Sequence, residues 1–308
     1  MTKEITEATA AEILERHFKS RPKKIEQLHG GLSNFVYTGC VGGEEYIVRI
    51  SHDPTRYQAF LKEQWSVTKV RELGVPTPDI LEVANDGEGV PYMISHKVAG
   101  EPGQSAKDRI GVLKELGTYA ARINSIETQS FGHIFDWSHN QLSRKQTWAE
   151  YVEVELHASE RLEFFAKEKV LSNGALKRLR RGIAKLAKWD GRPSLTHGDL
   201  RLKNVVLDKE GKISAILDWE TATSNFAAAW ELSLALHDLS VDEKEAFLQG
   251  YGITPSDYLA LSDSIKTLNV LNYFSSVTAA LENASDPLAL ERLRMRLNGG
   301  LDLYSLGD

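Results

Sequence analysis

Apolar positions along the chain follow two spacings. Residues 6–18 set Ile13, Leu14 and Phe18 at helical intervals behind Thr6, a residue suited to an N-cap, and predict a short opening helix. From residue 24 the spacing becomes strand-like in KIEQL, NFVYTGCV and EEYIVRI, with Gly30-Gly31 and Gly42-Gly43 as turn signals between them. These three runs predict an antiparallel meander. Residues 56–73 return to helical spacing, with Phe60, Trp65, Val67 and Leu73 roughly on one side and Gly74 as a stop. Two further strands, in TPDILEVAND and VPYMISHKV, flank the turn-rich DGEG. Five strands and one intervening helix therefore predict a first lobe over residues 1–97.

AGEPGQSA at 99–106 has the Gly, Pro and Ser of a connector. Beyond it, helical spacing dominates: 105–124, 145–168, 173–189, 226–238, 242–250, 256–282 and 287–302. SLTH, NVVLD and KISAILD interrupt it as short β segments. The expected class is α+β, with a β-rich first lobe and a mainly helical second lobe over 98–308.

Composition narrows the function classes. The chain has 308 residues, enough for about two domains and a sizeable core, and its hydrophobic fraction of 42% and charged fraction of 26% are those of an ordinary globular protein. A net charge of −6 gives no broad attraction for nucleic acid and suits a cationic small molecule better. RLRRG at 178–182 is a local basic patch, read as a solvated helix end. Cys40, the one cysteine, excludes an intramolecular disulfide and a cysteine-rich zinc site, and reads as a small residue packed in a strand. The N-terminus carries acidic residues and no apolar leader segment, and no stretch approaches the roughly 18 apolar residues of a membrane span. The expectation is a cytoplasmic monomer or homodimer with no membrane or nucleic-acid partner.

Candidate chemistry sits in LTHGDLRLKNVVLDKEGKISAILDWE, residues 195–220. Asp199 is followed five residues later by Asn204, and a strand pair then ends at Asp218. Each alone is an ordinary turn or strand-end residue. Together they match a need of phosphoryl transfer: one carboxylate accepts or orients a nucleophile's hydroxyl, while an amide oxygen and a second carboxylate hold Mg²⁺ on nucleotide phosphates. Hard oxygen donors suit Mg²⁺, which retains waters and needs few protein ligands. Gly30 and Gly31 before Leu32, Ser33 and Asn34 read as a tight turn that lets backbone N–H groups and the Ser33 hydroxyl approach phosphates.

HGDLRLKN followed by ILDWE resembles the aminoglycoside phosphotransferase and choline kinase superfamily, small-molecule kinases with a protein-kinase-like fold. GGLSNFVY and YIVRI resemble its nucleotide-binding lobe, and the likeness covers roughly residues 25–300. It implies a bilobal protein-kinase-like fold with a five-stranded antiparallel N-lobe and a mainly helical C-lobe. It further implies Asp199 as catalytic base, Asn204 and Asp218 as Mg²⁺ ligands, and His197 and Gly198 as loop-shaping residues. Arg49 takes the place of the strand cation that grips phosphates and Glu63 that of the helix carboxylate that positions it. Protein kinases carry Lys there, so Arg49 departs from them, although choline-kinase-like relatives share it. Arg201 lies where a cation can stabilise charge on the transferred phosphoryl. The adenine-facing backbone falls near Ser95, His96 and Val98, with ATP as the nucleotide and GTP left open.

The acceptor is a hydroxyl-bearing small molecule. Glu153, His157 and Glu160 share a helical stripe with Glu150 that could meet a cationic antibiotic, and Glu220 is a further acidic candidate. Three readings stay open: kinase of an aminoglycoside-like or other antibiotic, metabolite kinase acting on choline, a sugar amine or an amino alcohol, and nucleotide-binding pseudokinase.

Overall fold

The computed structural model describes residues 4–28, 34–133, 144–283 and 286–300. The chain divides into two compact units. One holds the residues up to Asp108 together with Leu202–Ala222; the other holds most of residues 109–201 and those from Thr223 onward.

In the first unit, α1 (Glu7–Phe18) starts behind Thr6, whose main-chain N–H donates to Thr9 Oγ1 at 3.2 Å. Its buried face, Ala10, Ile13 and Leu14, joins one apolar cluster with Tyr37, Val48 and Ile50 of the sheet. The strands β1 (Lys23–Leu28), β2 (Phe35–Val41), β3 (Glu44–Ile50), β4 (Ile80–Asn85) and β5 (Pro91–His96) form an antiparallel sheet in the order β1-β2-β3-β5-β4. Val41 pairs with Glu44, leaving Gly42 and Gly43 as a two-residue turn with φ of 65° and 96°, a backbone that favours glycine. Cys40 lies half-buried in β2 as a free thiol.

Helix α2 (Arg56–Glu72) crosses between β3 and β4, and its inward side differs from the one hydrophobic spacing predicts. Leu73 is exposed and Trp65 half-buried, whereas Phe60, Lys62, Glu63, Ser66, Val67 and Val70 are buried. This helix turns charged groups inward, so an apolar periodicity cannot set its face.

Seven strands are short: β6 (Glu101–Pro102), β7 (Phe131–Gly132), β8 (Arg144–Lys145), β9 (Ser194–Thr196), β10 (Val205–Leu207), β11 (Ile213–Ile216) and β12 (Thr223–Asn225). The expected connector at 99–106 supplies β6, the edge of a three-stranded sheet ordered β11-β10-β6 in the first unit. The second unit holds a four-stranded sheet ordered β8-β7-β12-β9. Two- and three-residue strands have no alternation to read, and β7, β8 and β12 were not expected.

The second unit's helices are α3 (Arg109–Asn124), α4 (Trp148–Glu150), α5 (Ala158–Lys167), α6 (Asn173–Leu186), α7 (Ala227–Ala235), α8 (Val241–Tyr251), α9 (Pro255–Asn272), α10 (Phe274–Glu282) and α11 (Pro287–Gly300). Caps place several starts, such as Ser240, which accepts from Glu243 N while Glu243 Oε2 accepts from Ser240 N. α3 and α8 approach at glycines: a Cβ on Gly117 would lie 2.1 Å from the Phe247 carbonyl oxygen, and one on Gly250 1.8 Å from that of Lys114.

The single helix expected over 145–168 is broken. After α4 the chain makes a π-helical turn over Tyr151–Glu155, closed by Leu156 N–H donating to the Tyr151 carbonyl at 3.0 Å, and His157 is left-handed at φ 50°. The wide turn sets Tyr151, Val152 and Leu156 together in the core, where Tyr151 stacks on Trp148 at 5.3 Å. The helix expected over 256–282 is likewise two, parting at Tyr273, whose hydroxyl accepts from Arg296 Nη1 at 3.0 Å. RLRRG falls mid-α6 rather than at a helix end.

Candidate active site

In the first unit, Arg49 on β3 and Glu63 on α2 form a two-pronged pair, with Nη1 donating to Oε2 at 2.7 Å and Nη2 to Oε1 at 3.0 Å. Glu63 is almost wholly buried, and the guanidinium also lies over the Phe60 ring at 5.2 Å. Burial opposes the charge on Arg49, but the carboxylates of Glu63, Glu220 and Asp218 outweigh it and hold its pKa above the ordinary value. The result is a fixed cation on a rigid strand.

Asn204 and Asp218 are placed by the β10–β11 ladder. Val205 pairs with Ile216, and Leu217 N–H donates to the Asn204 carbonyl at 2.8 Å, so Asn204 and the Leu217-Asp218 step share one end of the strand pair. Asn204 is buried at the end of a 3₁₀ turn over Leu202–Asn204. Asp218 is left-handed at φ 65° and heads another over Trp219–Thr221, which the Trp219 indole fastens by donating to the Ile216 carbonyl at 3.0 Å. Among the described residues no group of three or more His, Cys, Asp and Glu side chains could hold a metal ion. One amide and one carboxylate on a common strand end fit a hard cation that keeps waters and phosphate oxygens as its other ligands, which is the habit of Mg²⁺.

The second unit carries the loop with Asp199 and Arg201. Arg201 Nε donates to Asp199 Oδ1 at 2.5 Å, and Asp199 N–H donates to His197 Nδ1 at 3.2 Å. With Nδ1 accepting, the neutral imidazole carries its proton on Nε2. His197 is fully buried and Gly198 is left-handed at φ 80°, so both shape the turn from β9 into Asp199. His197 N–H donates to Glu231 Oε2 at 2.7 Å, and Gly198 N–H bonds the same carboxyl group. Glu231 is fully buried on α7, and burial lifts its pKa to about 7 against those two bonds and a further one from Asn124.

Of the other candidate positions, Ser33 lies outside the described residues, as do Gly30, Gly31 and Leu32, while Asn34 directly precedes β2. Ser95 is buried in β5, opposite Ile47 of β3 and Ile80 of β4. His96 ends that strand, its N–H bonded to the Asp79 carbonyl at 2.9 Å, and half-buried Val98 follows outside regular structure. The helical break at His157 removes the common stripe on which Glu153, His157 and Glu160 were grouped. Glu153 accepts from the Ser159 hydroxyl at 2.9 Å, and His157 meets Glu160 at 3.4 Å on an exposed surface. Glu220 meets Arg56 at 3.4 Å and Arg49 at 3.7 Å.

Sequence reasoning missed Glu231, Lys62 and Arg56. Glu231 had a signal, since it is the lone acid in the apolar run AAAWELSLAL, where a charge needs a reason. Lys62 had none, because a lysine next to a glutamate on a helix is ordinarily solvated.

The architecture is that of protein-kinase-like phosphotransferases: the chain superimposes with a TM-score of 0.69 on a crystal structure of a thermostable mutant of aminoglycoside phosphotransferase APH(4)-Ia in a ternary complex with AMP-PNP and hygromycin B. That match covers 97% of this chain and 100% of the other at 16% identity. Residues 24–262 match the model of the phosphotransferase enzyme family, and the chain belongs to that family. It is 24% identical over 243 residues to acyl-CoA dehydrogenase family member 10 of Mus musculus, and 21% identical over 228 residues to hygromycin-B 4-O-kinase of Escherichia coli. Each match covers 71% of this chain, but the chain spans only 21% of the mouse protein and 63% of the bacterial one. Among the described residues no helix is long and apolar enough to cross a membrane.

Proposed function

We propose that this protein is a cytoplasmic, ATP-dependent O-phosphotransferase that moves the γ-phosphoryl group to a hydroxyl of a small molecule, an aminoglycoside-like antibiotic in the favoured case. The observation that carries the reading is the β10–β11 strand end, where backbone pairing brings Asn204 and the Leu217-Asp218 step, an amide and a carboxylate with hard oxygen donors, to one end of the strand pair. The solved relative with AMP-PNP and hygromycin B and the curated hygromycin-B kinase support the nucleotide and the acceptor class.

In this reading residues 1–97 form the nucleotide-binding lobe and 98–308 carry the catalytic loop and acceptor pocket. When bound, Mg·ATP supplies the phosphoryl group, with the metal neutralising phosphate charge. Asn204 and Asp218 hold the cation, and Arg49, oriented by Glu63, grips the phosphates. Asn34 lies alongside them, and the backbone from Ser95 through His96 to Val98 faces the adenine. Asp199 accepts the hydroxyl's hydrogen bond and aligns its oxygen for in-line attack, while Arg201 faces the charge of the transferring group. Rate enhancement then comes from positioning and electrostatics.

The test is Mg²⁺-dependent ADP release by wild type and Asp199→Ala, with aminoglycosides, macrolides, choline and sugar amines offered as acceptors. Turnover by wild type alone supports the reading, and the acceptor that stimulates it names the substrate. Equal rates in the two proteins would remove Asp199 from catalysis. Nucleotide binding without turnover on any acceptor would favour the pseudokinase.

A further inference from the structure

Glu220 was a candidate for the acceptor, yet its contacts lie elsewhere. Its carboxylate meets Arg56 Nη1 at 3.4 Å and Arg49 Nη2 at 3.7 Å, and its main-chain carbonyl accepts from Lys62 Nζ. Arg56 and Lys62 both belong to α2, the helix whose Glu63 holds Arg49. Glu220 itself sits in the 3₁₀ turn that Asp218 heads.

Lys62 is only 1% exposed, an unusual place for an ammonium group. A cation there loses its hydration and is tolerated only if protein charges and acceptors replace it. The Glu63 and Glu220 carboxylates supply the charge, against Arg56 and Arg49, and the Glu220 carbonyl supplies an acceptor. Burial still brings the Lys62 pKa down to about 8. A methionine of similar length would fill the same space without that cost, so the ammonium is explained by the group it binds.

We propose that Lys62 and Glu220 are positioning residues: by fastening α2 to the turn after Asp218, they set the phosphate-gripping Arg49–Glu63 pair and the metal-binding Asp218 relative to one another. The inference rests on the phosphotransferase reading and extends it. Any shift of α2 carries Glu63 with it, and Glu63 carries Arg49. Any shift of the turn carries Asp218. Two contacts at Glu220, one to its backbone and one to its side chain, make the helix and turn move together, and Asp218 is near enough to act electrostatically on Arg49. Small displacements of such groups are costly, because their value depends on distance and alignment.

The experiment compares Lys62→Met, Glu220→Gln and the double variant with wild type. Binding of Mg·AMP-PNP is followed by calorimetry without acceptor, and Mg²⁺-dependent ADP release is measured with and without the best acceptor. Each single variant is expected to weaken nucleotide binding about tenfold and to lower kcat, with acceptor KM unchanged, as loss of one charge-assisted bond implies. The double variant should lose more than either single, because Lys62→Met removes the bond to the Glu220 carbonyl and Glu220→Gln weakens the separate contact of its carboxylate with Arg56. Glu220→Gln is only a partly buried, shape-preserving change, so it stays informative if Lys62→Met folds poorly.

A rise in acceptor KM alone would return Glu220 to the substrate pocket, and a rise in Mg²⁺ requirement alone would make it a metal ligand. A lowered Tm with nucleotide affinity and kcat intact would reduce both residues to structural support. Each of these overturns the proposal while leaving the phosphotransferase reading in place. Failure of wild type to bind Mg·AMP-PNP would instead overturn that reading, and this inference with it.

Discussion

Replacing Glu231 with glutamine should change how stability depends on pH, in a direction its burial dictates. The carboxyl group is fully buried beneath the Asp199 loop, and its pKa rises from 4.5 to about 7 on folding. Between those values the folded protein holds a proton that the unfolded chain has released, so stability falls as pH rises. The contribution is intact below about pH 4.5 and is lost progressively as pH climbs to about 7. A shift of this size corresponds to about 3 kcal/mol, at roughly 1.4 kcal/mol for each pH unit. Glu231→Gln is neutral throughout and has no such slope, while the other titrating groups are shared and cancel in the difference. Urea titrations of both proteins from pH 4 to 8 should therefore show wild type losing about 3 kcal/mol relative to the variant across that range. A difference that stays flat, or that grows in favour of wild type with rising pH, would refute the assignment of a neutral buried carboxyl group. The same variant replaces one carboxylate oxygen by an NH₂ beside the His197 and Gly198 N–H groups. It should lower turnover as well.

Glu63→Ala leaves the buried Arg49 guanidinium without its two-pronged partner, and should cost about 3 kcal/mol of stability together with Mg·AMP-PNP affinity. Denaturant midpoints and calorimetry check this, and a variant as stable as wild type would show that Glu220 suffices for Arg49. Gly250→Ala drives a methyl group to 1.8 Å from the Lys114 carbonyl oxygen, a backbone atom that yields only if α3 and α8 separate. A loss of about 3 kcal/mol, read as a Tm lower by several degrees, is expected, and an unchanged Tm would mean that the two helices are not tightly apposed.

Much of this protein is legible along the chain. Alternating residues mark β2 and β3, glycines mark the turn between them, and residue spacing groups Asp199, Asn204 and Asp218 into a phosphoryl-transfer set. Arg49 and Glu63 emerged as a pair through resemblance, and their contact is direct. These features depend on local periodicity, on turn geometry, or on chemistry that tolerates few residue types.

What spacing could not supply is the direction in which polar residues face. Lys62, Glu63 and Glu220 are ordinary surface types, and only packing of α2 against the turn after Asp218 buries Lys62 and Glu63 and bonds Lys62 to the half-buried Glu220. The Glu150, Glu153, His157 and Glu160 stripe assumed one helix, whereas a π-helical turn and a left-handed His157 break it to bring Tyr151 and Leu156 into the core. Glu231 gained its role because α7 lies under the β9 turn, a contact 34 residues away in sequence. Local pattern thus decides which elements form and which chemistry the chain can carry. Long-range packing decides which charges lose their water, and those are the groups whose partners and pKa values only the folded chain can set.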